Sequence, residues 1–508
     1  MPYMRFAFDF RTHVLCVDIF CIGRQIGFEV MYMRKTKIVC TMGPACREAG
    51  TIEEMIKNGM NVARLNFSHG DYEYHGGSIK LLKEARNKLH APLAIMLDTK
   101  GPEIRLGNFE KEIRLVPGQP FMLTTRAAAG TERVASITYD RLPLQLKKGD
   151  TVLIDDGHVE LRVENTTEET IECTVVRGGA ISSHKGVNVP SVHLEMPVLN
   201  EQDKKDILFG IEQDVDYIAA SFVRCREDMV SIRRFVDYNG GHDIKLIAKI
   251  ENLEGIENFD EILQASDGIM VARGDLGVEV DFERIPGLQK RFIRKCYQAG
   301  KMVITATQMM ESMINQPNPT RAEITDIANA VFDGTSAVML SGETAVGKYP
   351  SEAVRIMGKI AQQAERDAFE MQAYKGINYE IDARDTTNAV CDAACTTARD
   401  ISAQAIIALT KYGQTARLMS KFRPVQPVIA ATPVQKTFNQ LALSWGVYPV
   451  MAKYQYSFDL LLQHAIDCAK QIDAVKEGDR VVIVAGIPMD TPGSTNTLKV
   501  ETVGNGLR

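Results

Sequence analysis

The sequence predicts an α/β protein: a TIM (β/α)8 barrel with an inserted all-β lid domain and a C-terminal α/β open-sheet domain. Three observations predict it. Eight short β-branched runs that end in polar or glycine residues alternate with helical periodicity. One connection among them is far too long for its position. After a polar break near residue 374 the strand and helix rhythm resumes, with too few strands to close a second barrel.

The eight runs are 37–41, 62–66, 93–98, 217–222, 245–250, 268–273, 302–307 and 336–340. Stretches such as 52–58, 256–265 and 321–331 read as helices between them, and strand alternating with helix implies a parallel sheet. Most starts lie about 23–34 residues apart, but the third gap is about 124, an excess the size of a small domain. Between Gly101-Pro102 and Met196-Pro197 the pattern turns to short alternating strands punctuated by Pro117-Gly118, Asp156-Gly157 and Gly178-Gly179. This predicts a barrel from 34–101 plus 198–372, about 240 residues as barrels require, and a β-barrel lid at 102–197. The C-terminal region, 373–508, carries strands at 405–409, 428–431, 447–452 and 480–485.

Composition narrows the function. The 508 residues carry 59 Lys plus Arg against 65 Asp plus Glu, a net charge of -6, and 45% are hydrophobic. That is a globular composition without the dense basic field that nucleic acid or an anionic membrane requires. The ten cysteines are scattered with no C-x-x-C pair, so neither a disulfide framework nor a zinc site is indicated, and a reducing cytoplasm fits. Residues 1–33 form an apolar extension broken by Arg5, Asp9, Arg11, Asp18, Arg24 and Glu29. It is too interrupted to cross a bilayer and has no signal-peptide organisation. Met31 or Met33 before Arg34-Lys35-Thr36-Lys37 reads as a better start, which suggests a mis-set initiation codon.

Barrel chemistry gathers at the C-terminal strand ends. The second strand turns Arg64, Asn66 and Ser68 to one face. The fifth ends Lys249-Ile250-Glu251, the sixth Arg273-Gly274-Asp275, the third Asp98-Thr99, and the seventh runs to Thr307-Gln308. Glu251 and Asp275, on adjacent strands, suit a hard divalent cation, with magnesium the natural choice. Lys249 supplies a point charge beside it, and Arg64 a planar fork for phosphate or carboxylate. Asn66, Ser68, Asp98 and Thr99 offer oxygen ligands with one full charge, which suits a monovalent cation. Singly, each has a plain alternative as an ion pair or a helix cap; their coincidence at one rim favours a site. Gly342 to Lys348 has P-loop spacing, but Tyr349 stands where Ser or Thr is needed, so it is no nucleotide fingerprint. Thr410, Lys411, Gly413, Gln414 and Thr415 join a strand to a helix and form a candidate anion loop, with 491–496 as a second wall. An ordinary turn explains them as well.

The segments Thr36 to Pro44, Met60 to Gly70, Leu97 to Arg105, Lys249 to Asn252, Ile269 to Gly277 and Ile304 to Met309 resemble the pyruvate kinase family, of a bacterial type, in the family's order. The resemblance implies phosphoryl transfer from phosphoenolpyruvate to ADP in the cytoplasm, with Mg2+ on Glu251 and Asp275 and K+ on Asn66, Ser68, Asp98 and Thr99. It implies catalysis by Lys249, Arg64 and Thr307, and substrate contacts from Arg64, Lys249, Gly274, Asp275 and Thr307. Asn66, His69, Arg105 and Lys185 match nucleotide contacts. Glu103 stands where potassium-independent members have Lys, so potassium dependence is expected. The 410–415 loop has the shape of the family's effector-phosphate loop, although Tyr412 replaces a small residue, so a sugar bisphosphate, a sugar monophosphate and AMP all remain open. A homotetramer is implied by the family alone. A magnesium-dependent barrel aldolase or lyase acting on pyruvate enolate is the rival reading; it has no use for a lid bearing Lys185.

Overall fold

The computed structural model describes residues 33–190, 192–374, 385–455, 457–487 and 495–504. Residues 1–32 of the expected N-terminal extension and most of the stretch that follows the long helix Pro350–Glu370 lie outside them.

Eight parallel strands close a barrel: Lys37–Thr41, Val62–Asn66, Ala94–Asp98, Tyr217–Ala220, Lys245–Ile250, Gly268–Ala272, Met302–Ala306 and Ala337–Leu340. The first and last pair through Lys37 and Ala337, which leaves no edge. The pleat sorts side chains by parity. Val62, Met96, Ala219, Ile247, Met270 and Ile304 fill the barrel interior, while Leu65, Leu97, Ala248 and Val271 face the helix ring. Two positions beyond the interior residues, the same inward parity brings Arg64, Asp98, Ser221 and Lys249 to the C-terminal rim.

Some expected bounds shift by a residue or two, each for a local reason. The second strand stops at Asn66, whose Oδ1 accepts the Ser68 N–H at 3.2 Å, so Ser68 is set by a turn and not by the pleat. The sixth strand stops at Ala272, and Arg273–Glu279 is a helix, so Gly274 and Asp275 occupy its first turn. The helix expected at 256–265 is two, Leu253–Glu257 and Phe259–Ala265, broken at Asn258, whose amide donates to the Arg224 carbonyl at 3.0 Å. The P-loop-like segment is structural: Glu343 accepts the Met310 and Ser341 N–H groups, and Thr344 bonds the Thr41 carbonyl across the barrel seam.

The insertion is a seven-stranded, mostly antiparallel sheet and a two-stranded pair, Ile113–Arg114 with Ala180–Ile181, around its own apolar core. The two end strands of the larger sheet meet at the Leu106 and Ile137 bridge, where the Gly107 N–H donates to the Ser136 carbonyl at 2.8 Å and the Thr138 N–H to the Arg105 carbonyl at 3.0 Å. The two crossings into it are tied together. Gly101 N–H donates to Asp203 at 3.0 Å, and Asn200 donates to the Gly101 carbonyl at 3.1 Å while capping Asp203. A Cβ at Gly101, whose φ is +78°, would meet Ser221 at 2.7 Å, so glycine is required there.

The C-terminal region is a five-stranded sheet in the order Val447–Met451, Val428–Thr432, Ala405–Leu409, Arg480–Gly486 and Thr495–Thr502. The last strand runs antiparallel and was not expected. Its segment 435–443 closes the barrel floor: Leu443 and Ala442 enter the interior cluster, the Tyr217 hydroxyl donates to the Gln440 carbonyl at 2.6 Å, and the Gln440 amide reaches Asp243 at 2.6 Å.

Candidate active site

Lys249 is the centre of the rim. Its ammonium donates to Ser221 Oγ at 2.7 Å, Glu251 Oε1 at 2.8 Å and Asp98 Oδ1 at 3.0 Å. The other oxygen of Asp98 takes Arg64 Nε at 2.5 Å, and Arg64 Nη1 reaches Thr41 Oγ1 at 2.9 Å. Glu251 Oε2 accepts the backbone N–H of Phe222 at 2.7 Å. Asp98, Glu251, Lys249 and Arg64 are all buried. Three strands therefore supply the alternating charges of one hydrogen-bonded network, and Thr41 and Ser221 join it from two more.

Burial opposes the charge on Lys249, but Asp98 and Glu251 outweigh it and hold the ammonium above its ordinary range. Asp98 is penalised by burial too, yet Arg64 and Lys249 hold it below the usual carboxylate range. Glu251 goes the other way. Burial, with Asp275 adding to it, raises its carboxyl to about 7 against the pull of Lys249. The ammonium keeps its charge, and Glu251 is the member poised to take up a proton or exchange it for a cation.

Asp275 lines a cleft of about 720 Å³ between barrel and insertion, together with Arg105, Lys185 and Glu279. Lys185 is paired with Asp155 at 2.9 Å, and Arg105 with Glu103 at 2.6 Å. The Gly274 N–H donates to Thr307 Oγ1 at 2.9 Å, so these two expected substrate contacts touch each other. Thr307 and Gln308 adopt left-handed φ of 65° and 53°, a strained turn at the rim. Arg273 braces it by bonding the Ala306 and Thr307 carbonyls. Asn66 is the register partner of Asp98, and buried Thr99 follows directly. His69 is exposed just past the second strand.

The donor set fits the expected cations. No group of three or more His, Cys, Asp or Glu forms a metal cage among the described residues. Asp275 opens on the cleft while Glu251 lies buried beside Lys249, and a hard divalent ion held by one or two carboxylates leaves the rest of its shell to substrate and water. Asn66, Ser68, Asp98 and Thr99 provide oxygen alone. Ser221 and Phe222 were missed in the sequence, and Arg273 was placed at the rim without a role. Ser221 could have been found by parity, two positions after interior Ala219.

The loop at 410–415 lies on the other sheet. Gly413, with φ of +81°, starts the helix Gln414–Lys421 and donates to Thr410 Oγ1 at 2.9 Å. The Lys411 carbonyl accepts from Thr437 at 2.9 Å, and Thr415 bonds Thr495 at 2.7 Å. A cavity of about 110 Å³, lined by Thr410, Lys411, Pro433, Lys453, Tyr454 and Gln455, opens at these strand ends. Of the second expected wall, Thr495 and Asn496 begin the last strand, and 491–494 lie outside the described residues.

A closed barrel with a cation-centred rim, a β insertion over it and a separate α/β sheet defines an enzyme that handles anionic substrates by charge neutralisation. Comparison with known proteins gives the same class a name. The pyruvate kinase barrel domain matches residues 33–354, and the pyruvate kinase alpha/beta domain matches 388–501. Pyruvate kinases of Clostridium acetobutylicum and Clostridium perfringens are 47% and 43% identical to the chain, each covering 93% of it and matched over 100% of its own length. That of Geobacillus stearothermophilus is 46% identical, with 93% and 81% covered. The chain belongs to the pyruvate kinase family. It is a phosphotransferase that acts on phosphoenolpyruvate and ADP to give pyruvate and ATP, a step of glycolysis. Enzymes of this family generally need a divalent metal and a monovalent cation. No helix among the described residues is long and apolar enough to cross a membrane.

Proposed function

We propose that Lys249 stabilises the phosphoryl group in flight and the enolate it leaves, with Glu251 and Asp275 holding Mg2+ and Asn66, Ser68, Asp98 and Thr99 holding K+. The observation that carries this reading is the buried Lys249, Glu251, Asp98 and Arg64 network at a single rim. Phosphoryl transfer asks little covalent chemistry of a protein and much alignment and charge neutralisation. A bound divalent ion supplies Lewis-acid stabilisation of phosphoryl and enolate oxygens. Arg64 orients the phosphate, and the Gly274 backbone and Thr307 hold the carboxylate end. Thr307 orders the water that protonates the enolate. Asn66, His69, Arg105 and Lys185 contact the nucleotide, and the insertion over the rim excludes water.

Around this core, the chain divides into a barrel at 34–101 and 198–372, a lid at 102–197 and a regulatory region at 373–508. A phosphorylated effector binds at 410–415. The enzyme is a cytoplasmic homotetramer, on family likeness alone. The test is pyruvate release by the purified chain from phosphoenolpyruvate, with and without ADP, Mg2+ and K+, beside aldehyde-dependent carbon-carbon cleavage. ADP-dependent release that needs both cations supports the reading; cleavage without ADP supports the barrel lyase instead.

A further inference from the structure

Ser221 is in the network but in none of the roles above. It directly follows the fourth barrel strand, on the inward parity of Tyr217 and Ala219, and is 3% exposed. Its Oγ accepts the Lys249 ammonium at 2.7 Å and donates to the Thr99 carbonyl at 2.7 Å, while its backbone N–H donates to Thr99 Oγ1 at 3.2 Å. With the hydroxyl proton committed to Thr99, the lone pairs face Lys249. The next residue, Phe222, holds a left-handed φ of 54° and aims its N–H at Glu251. One dipeptide thus orients both members of the Lys249 and Glu251 pair.

All three ammonium protons are occupied, two by carboxylates. Asp98 and Glu251 are also the carboxylates assigned to cations, and a cation that draws on their lone pairs weakens them as acceptors for Lys249. Ser221 is the neutral partner among the three, with no cation assigned to it. We infer that Ser221 is a positioning residue that keeps the Lys249 ammonium on the line of phosphoryl transfer when Glu251 and Asp98 are drawn to Mg2+ and K+. This inference rests on the roles proposed for Lys249 and the two cation sites. It gives the fourth strand, which contributes no expected ligand, a part in the chemistry.

The test compares Ser221→Ala with the native enzyme in two reactions: phosphoryl transfer, and methyl proton exchange of pyruvate followed in D2O by NMR. The transfer kcat is expected to fall about 10–100-fold, the rate equivalent of one hydrogen bond to a charged group. KM for phosphoenolpyruvate should stay within about threefold, and exchange, which moves no phosphoryl group, should fall much less than transfer. A readout that does not depend on turnover is labelling of Lys249 by an amine-selective reagent, mapped by peptide mass. With Mg2+ and K+ present it should rise several-fold in the variant. If Ser221→Ala melts well below the native chain, Ser221→Cys replaces it, and the same separation of transfer from exchange is expected. Transfer and exchange falling together, or transfer and Lys249 labelling both unchanged, overturns the inference. A native enzyme inactive with phosphoenolpyruvate and ADP would overturn the proposed function instead.

Discussion

Replacing Lys249 with Met removes the charge at the centre of the rim and keeps most of the side-chain volume. The native ammonium is buried and makes three contacts of 3.0 Å or less. A single neutral donor aimed at developing charge is worth about 10²–10³ in rate, and a full buried charge more, so phosphoryl transfer should drop at least about 10³-fold. The variant also leaves Asp98 and Glu251 buried with Arg64 as the remaining close cation, a loss of about 3–5 kcal/mol where both carboxylates are ionised. Glu251 already titrates at about 7 and, without Lys249, rises further. A raised carboxyl relieves the deficit by protonation at low pH, so the stability gap should be larger at pH 8 than at pH 6. The assays are coupled pyruvate release, pyruvate methyl exchange in D2O and denaturant midpoints at both pH values. Exchange should fall much less than transfer, because it passes through the enolate that Lys249 stabilises but moves no phosphoryl group. Transfer within tenfold of native, or exchange lost as completely as transfer, refutes the reasoning.

Other consequences are as direct. With K+ replaced by tetramethylammonium, turnover should fall at least about tenfold, because the oxygen cluster around Asp98 then has no ion to complete it, and Glu103→Lys should reduce that requirement. Undiminished native activity without K+ counts against the cluster. Burial raises Asp203 from 3.8 to about 6 despite the N–H groups it accepts. Between about pH 4 and 6 the native state therefore holds a proton that the unfolded chain has released, and stability falls as pH rises through that window. Asp203→Asn should flatten this slope in chemical denaturation, and an unaltered slope would assign it to another group. Phosphorylated metabolites should shift half-saturation for phosphoenolpyruvate, and Lys411→Met should weaken the response; equal responses in both proteins would move the effector elsewhere.

Most of the barrel was legible because its signals are local. Strands such as Lys37–Thr41 and Lys245–Ile250 coincide with β-branched runs, and the excess between the third and fourth strands announces the insertion. What was not legible lay in turns and at edges. Gly274 and Asp275 read as a strand end because the apolar run before them is continuous, but the chain turns helical at Arg273. The strand Thr495–Thr502 has weak alternation and pairs on one side only, so little in its composition marks it. Ser221 passed unnoticed since a serine after a strand carries no charge to attract attention.

By itself, the order of residues determined the barrel, the presence of a lid and the charged groups at the strand ends, because period-2 burial and chain connectivity are written residue by residue. Only the folded molecule decided which of those groups touch. It bound Lys249 to Ser221 as well as to two acids, raised Glu251 to about 7 and brought Gln440 beneath Tyr217. Those contacts join residues far apart in the chain, and their strength comes from burial, a property no short stretch of sequence has until the strands close around it.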